Sequence, residues 1–171
     1  MKHSTFMKAA QAFAEESKCI SMQVGAVIVK DDHIISHGYN GSPKGHQNCC
    51  DRFGLPHRYN MYYLTLDGQR KLTDAGREEH HKYSTENEIH AELNAILFAA
   101  KHGLNISGGT MYVTVSPCQQ CAKCLTQSGI KRIIYDKLYD KNPDNWKDIF
   151  NGSGVIVQHI SRSEERRVGK E

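Results

Sequence analysis

The chain has 171 residues, with 22 Lys and Arg against 19 Asp and Glu, and a formal net charge of +3. That length is enough for one domain with a real hydrophobic core, and so mild a charge argues against a protein built to coat nucleic acid. No apolar run is long enough to cross a bilayer, and the N-terminus lacks the apolar core of a signal peptide, so a cytoplasmic protein without a membrane partner is expected.

In chain order, the spacing of Phe6, Ala9, Ala10, Phe13 and Ala14 predicts a helix over 4–18, with Ser4 as its cap. Residues 24–29 read as a strand, Asp31 and Asp32 as a turn, and 33–39 as an antiparallel neighbour. Asn40-Gly41-Ser42-Pro43 closes that hairpin in a sharp loop. No period holds over 44–86, which is too long for an ordinary connection and reads as a functional insertion with short structure of its own. Residues 90–101 are apolar nearly all round, which predicts a buried helix ended at Gly103. A strand follows over 110–115, then a helix opened by Cys118 and closed by Gly129, a strand over 130–135, a helix over 144–150 and a last strand over 155–159. Later strands that alternate with helices should lie parallel. The expected fold is α/β, a three-layer α-β-α sandwich with a five-stranded mixed sheet, forming one domain over 1–160. The tail 161–171 is almost wholly charged or small and reads as disordered or artefactual.

Two stretches carry chemistry: Glu88-Ile89-His90-Ala91-Glu92 and Ser116-Pro117-Cys118-Gln119-Gln120-Cys121. One imidazole and two thiolates can hold zinc and leave a fourth position open, which is the catalytic rather than the structural pattern. A zinc ion held in this way makes water acidic near neutral pH, and Glu92 is then a free carboxylate able to move its protons. Cys118 and Cys121 are three apart and share a helix face in the first turn, where the dipole favours thiolates. His90 and Glu92 are two apart, so both can face one metal only if it lies off the start of their helix. Two helix N-termini should therefore converge on the metal. Cys124 is rotated off the shared face and reads as a core thiol.

His-x-Glu followed by Pro-Cys-x-x-Cys is the signature of the zinc nucleobase deaminases. On these residues the chain resembles the cytidine deaminase superfamily, and within it the deoxycytidylate (dCMP) deaminases of bacteriophage type. Val24-Gly25-Ala26-Val27-Ile28, Gly38-Tyr39-Asn40-Gly41-Ser42-Pro43, Asn48-Cys49-Cys50-Asp51 and the block from Asn87 to Ala100 share in the likeness. So does Tyr112-Val113-Thr114-Val115-Ser116-Pro117-Cys118. The resemblance implies hydrolysis of dCMP to dUMP and ammonia, feeding thymidylate synthesis. It implies His90, Cys118 and Cys121 as zinc ligands, Glu92 as the proton carrier, and Asn40, Lys101, Ser116 and Tyr139 around the nucleotide. A turn role for Asn40, and dipole compensation for Lys101, are the plain alternatives. The resemblance further implies a homo-oligomer, commonly a hexamer, activated by dCTP with Mg²⁺ and inhibited by dTTP, with Gly41 and Ser42 in the effector site.

The resemblance also implies a second, structural zinc on Cys19, Cys49, His80 and Glu88, with Cys50 and His81 as alternative ligands. Such a site would pin both ends of the insertion to the N-terminal helix. Two rival functions stay open. One is a deaminase acting on nucleic acid, for which Tyr59, Tyr62 and Tyr63 near Arg52 and Arg58 could stack bases. The other is a non-catalytic zinc-stabilised interaction domain, which would have no use for Glu92.

Overall fold

A computed structural model describes residues 2–53, 62–64 and 70–160. Arg58, Tyr59, the side chains of Tyr62 and Tyr63, and the tail 161–171 lie outside the described residues. Helix α1 (His3–Ala14) leads into the hairpin β1 (Gly25–Lys30) and β2 (His33–Tyr39). Asp31 and Asp32 make its turn, both with positive φ. The insertion holds a short helix α2 (Cys49–Phe53), a small ribbon β3 (Tyr62–Leu64) and β4 (Arg70–Leu72), and a long helix α3 (Asp74–Asn87). Then come α4 (Ala91–Lys101), β5 (Thr110–Val115), α5 (Gln119–Gln127), β6 (Arg132–Lys137), α6 (Asp148–Ser153) and β7 (Ile156–His159).

The main sheet has the order β2-β1-β5-β6-β7. β1 runs antiparallel to both β2 and β5, while β5, β6 and β7 are parallel, their links being α5 and α6. Alternation along each strand decides which helix it meets. Val27, Val29, Tyr112 and Ile134 pack with Phe6, Met7 and Ala10 of α1. Their neighbours Ala26, Ile28, Met111, Val113 and Ile133 face the other way, into a larger core with Ala91, Ala95 and Ala99 of α4, Leu125 of α5 and Phe150 of α6. A mixed sheet with helices on both faces is thus present.

Two glycines set how closely the helices approach. A Cβ on Gly25 would lie 2.0 Å from the carbonyl oxygen of Ala10 in α1. A Cβ on Gly38 would lie 2.4 Å from the carbonyl oxygen of Ala91 and 2.5 Å from the amide nitrogen of Ala95 in α4. Backbone therefore packs directly on backbone at both points, and the first turn of α4 is pressed onto β2.

Several elements differ from the sequence reading. α1 begins at His3 with Lys2 in the capping position and no side-chain cap. Ser4 lies inside the helix. The imidazole of His3 holds this end instead, with Nδ1 2.6 Å from the hydroxyl of Tyr112. α1 stops at Ala14 because Ser17 is turned inward, its hydroxyl donating to the carbonyl of Asn40 at 2.8 Å. α4 is not apolar-buried all round, since Leu97 is 53% exposed and Phe98 36%. α6 starts later than residue 144, because the amides of Trp146 and Asp148 donate to Pro143 and Asn145 in turns. The insertion has a small core of its own: Phe53, Leu72 and Tyr83 pack around Cys19 and Cys49.

Candidate active site and a second metal-ligand cluster

His90 is the N-cap of α4 and Cys118 the N-cap of α5, both in extended backbone. A residue at that position leaves the helix axis sideways, so His90 and Glu92 escape the divergence they would have in mid-helix. β5 ends at Val115, and Ser116-Pro117 carries the chain directly to Cys118. The Nδ1 of His90 lies 3.4 Å from the sulfur of Cys118 and 3.3 Å from that of Cys121. A zinc bound tetrahedrally to one nitrogen and two sulfurs would set N···S separations of roughly 3.5 Å, so the three side chains fit the ion as they stand. Glu92, in the first turn of α4, is buried.

Charge at the site follows from these contacts. The hydrogen bond with Cys121, and then that with His90, hold the Cys118 thiol well down, at about 4, against the opposing effect of burial. The same bond to Cys118, with burial, pushes Cys121 up. The pair thus shares one proton, which a metal would displace. Cys118 also raises His90 to about 9. Burial raises Glu92 to about 7, so near neutral pH its carboxyl can both take and release a proton.

His90, Glu92 and Cys118 border a cavity of about 310 Å³. Of the residues expected around a ligand, Asn40, Ser116 and Tyr139 line it. The Asn40 side chain accepts from the amide of Val24 at 2.8 Å and donates to the carbonyl of Met22 at 2.9 Å. It therefore builds its turn and faces the cavity at once. The Ser116 hydroxyl accepts from the amide of Tyr139 at 2.8 Å and from the Asn142 side chain at 3.3 Å. Asn142 also donates to the carbonyl of Pro117 at 2.9 Å, tying the segment after β6 to the turn that carries Cys118. Lys101 is exposed at the last residue of α4 and is not among the lining residues, so the fold of this chain does not bring it to the cavity. Gly41 and Ser42 lie just outside the lining. Gly41 exchanges two backbone hydrogen bonds with Ile89, and the Ser42 hydroxyl meets that of Tyr83 at 3.1 Å. Cys124 is exposed and is not the core thiol its spacing suggested, since the face of α5 that carries it points away from the sheet.

A second cluster lies against the same cavity. The ligand atoms of Cys19, Cys49, His80 and Glu88 all fall within 4.8 Å of one another. The Cys19 sulfur is 3.4 Å from Nε2 of His80 and 3.7 Å from a Glu88 oxygen. The alternatives His81 and Cys50 stay out of this group. Cys49 holds Cys19 down at about 4 and is itself pushed up by the shared hydrogen bond. Burial raises Glu88, and its Oε1 is buried without a hydrogen-bond partner. An orphaned carboxylate oxygen inside a set of two thiols and an imidazole is what a cation would satisfy.

Residues 1–137 match the family described as the cytidine and deoxycytidylate deaminase zinc-binding region. The chain belongs to this family. The deoxycytidylate deaminase of Enterobacteria phage T4 is 45% identical over 176 positions, which span 95% of this chain and 91% of that protein. The human deoxycytidylate deaminase is 36% identical, spanning 90% and 76%. Among solved structures, the dCMP deaminase of cyanophage S-TIM5 in complex with dCMP and dUMP superposes with a TM-score of 0.68 at 31% identity, covering 94% of this chain and 99% of that one.

Sequence reasoning missed other residues that line the cavity of this deaminase: Ser21, Met22, Arg77, Ser84 and Lys141; His81, expected only as an alternative metal ligand, lines it too. Arg77, His81 and Ser84 sit on α3, inside the stretch that read as having no period. A signal was available there. Thr73 caps α3 through its hydroxyl, which accepts from the amide of Gly76, and Gly76, His80 and Tyr83 form a buried stripe at helical spacing.

Proposed function

We propose that this deaminase hydrolyses dCMP to dUMP and ammonia, supplying dUMP for thymidylate synthesis. The observation that carries the reading is a buried carboxylate, Glu92, beside an imidazole and two thiols that converge from two helix starts at the base of one cavity. His90, Cys118 and Cys121 would hold zinc. When bound, zinc supplies a Lewis acid that lets water act as hydroxide near neutral pH. Glu92 takes a proton from the attacking water and passes it to N3 of the pyrimidine as the C4–O bond forms; it then takes the proton of the new C4 hydroxyl and gives it to the amine, which leaves as ammonia as the C4–N bond breaks. Asn40 and Tyr139 orient the nucleotide in this reading, and Ser116 holds the rim that presents Tyr139. An ammonia-release assay on dCMP, CMP, deoxycytidine, dCTP and a cytosine-containing oligonucleotide tests it. Fastest turnover of dCMP is expected. Preference for the oligonucleotide would favour a nucleic-acid enzyme, and zinc content without any turnover would favour an interaction domain.

The reading includes a second, structural zinc on Cys19, Cys49, His80 and Glu88. Support comes from their proximity and from the orphaned oxygen of Glu88. Metal analysis should find two equivalents of zinc per chain, falling to one in Cys19→Ser while activity is partly kept. One equivalent in the unmodified protein, unchanged by Cys19→Ser or Cys49→Ser, would remove the site.

It also includes a homo-oligomer, a hexamer by resemblance, activated by dCTP with Mg²⁺ and inhibited by dTTP near Gly41 and Ser42. Exposed Leu97 on α4 and Ile34 on the edge strand β2 are suited to cover by another subunit. Sedimentation should find an oligomer, with a sigmoidal dCMP curve that dCTP and Mg²⁺ make hyperbolic. A monomer with hyperbolic kinetics and no dCTP response would refute this part.

A further inference from the structure

The residues that line the cavity differ sharply in exposure: Glu92 is 4% exposed, while the side chain of Arg77 is 61% exposed. In a cytidine nucleotide the reacting C4 and the 5′-phosphate lie at opposite ends of the molecule. If C4 is brought to the buried Glu92, the phosphate is left toward the exposed lining residues. We propose that Arg77 of α3, together with Lys141 of the segment after β6, binds the 5′-phosphate and so selects nucleotide over nucleoside. The assignment rests on the proposed dCMP reaction and deepens it.

Three observations carry it. First, Arg77 and Lys141 come from different elements and both line the cavity, whereas Lys101 does not. A guanidinium offers a planar fork that grips two phosphate oxygens, and an ammonium adds a point charge. Asp140 also lines the cavity, which leaves only a small cationic excess there, suited to one phosphate group. Second, both cations are registered to the metal-ligand residues by backbone. α3 carries Arg77 one turn before His80 of the second cluster. Lys141 lies between Tyr139 and Asn142, whose hydrogen bonds fasten this segment to Ser116 and Pro117, just before Cys118. A phosphate held there is therefore held at a fixed reach from the reacting end. Third, Arg77 is paired with Asp74 one turn earlier, on the surface. An exposed pair of this kind is weak, so a phosphate dianion can take over the guanidinium.

The test is steady-state kinetics of the zinc-loaded enzyme on dCMP and deoxycytidine, with Arg77→Gln, Lys141→Gln and Arg77→Lys. Each Gln variant should lower kcat/KM for dCMP at least about tenfold, chiefly through KM, because a charge-assisted hydrogen bond is lost. Turnover of deoxycytidine should stay within about twofold, a readout that a merely structural role would not spare. Inhibition of dCMP turnover by inorganic phosphate should weaken in the same variants. Arg77→Lys should fall between, since the charge stays and the fork is lost. Zinc content at the unmodified level controls for folding. An equal loss on both substrates, or no loss on dCMP, would overturn the assignment while leaving the dCMP reaction in place. An unmodified enzyme that prefers deoxycytidine to dCMP would overturn the proposed function, and this assignment with it.

Discussion

Glu92→Gln should abolish deamination while zinc stays bound. The carboxylate is not part of the proposed ligand set of His90, Cys118 and Cys121, so its loss would leave the metal's donors untouched. Burial raises Glu92 to about 7, and a glutamine amide has nearly the shape of its protonated form without an exchangeable acid proton to give. The substitution therefore removes proton transfer and little else. General acid–base catalysis typically contributes at least about 10²-fold, and here one residue serves several transfers in sequence. Turnover and zinc content measured on the same preparation decide the matter. Near-normal turnover with full zinc would sink the proposed mechanism.

The second large effect is expected from a single methyl group. In Gly38→Ala the new Cβ would lie 2.4 Å from the Ala91 carbonyl and 2.5 Å from the Ala95 amide, and both are backbone atoms that no rotamer change can move aside. Overpacking of this kind costs about 1–3 kcal/mol, which lowers Tm by roughly 2–12 °C in a chain of this size. The loss of activity should exceed what stability alone explains. The part of α4 that must retreat is its first turn, which carries Glu92 and is capped by His90. Displacements near 1 Å of positioned groups cost rate on the order of 10²-fold. Gly152→Ala is the control, since its Cβ would meet nothing within 4 Å. Thermal melts and kcat for both variants, side by side, test the claim. An unchanged kcat in Gly38→Ala would mean that α4 has room the packing does not show.

What the sequence made legible divides by the range over which a signal acts. The His90, Glu92, Cys118 and Cys121 constellation could be read because each half is a short motif, and helix geometry alone dictates that the halves meet at helix starts. The strands could be read because alternation is local, and Val27 and Ile28 already announce two faces. The second cluster was another matter. Cys19 lies 61 positions from His80, and no spacing rule links them. Only resemblance pointed to that set, and the fold then separated His80 from His81 and Cys49 from Cys50. The helix α3 escaped because its buried stripe is Gly76, His80 and Tyr83 rather than aliphatic residues. With it went the wall of the cavity. The exposure of Leu97 and Phe98 was also hidden, because composition reports how apolar a helix is and not which side the sheet covers.

The paired hydrogen bonds between Gly41 and Ile89 have a further consequence for dynamics. Ile89 separates Glu88 of one cluster from His90 of the other, so only two peptide units join the two sets of ligands. Its amide donates to Gly41 at 2.9 Å and its carbonyl accepts from Gly41 at 3.1 Å. The link has no slack. The end of the insertion and the start of α4 should then open as one unit and not by separate local fraying. In native-state hydrogen exchange the amides of Ile89 and Gly41 should share one opening free energy with that of Asn94, which donates to the carbonyl of His90.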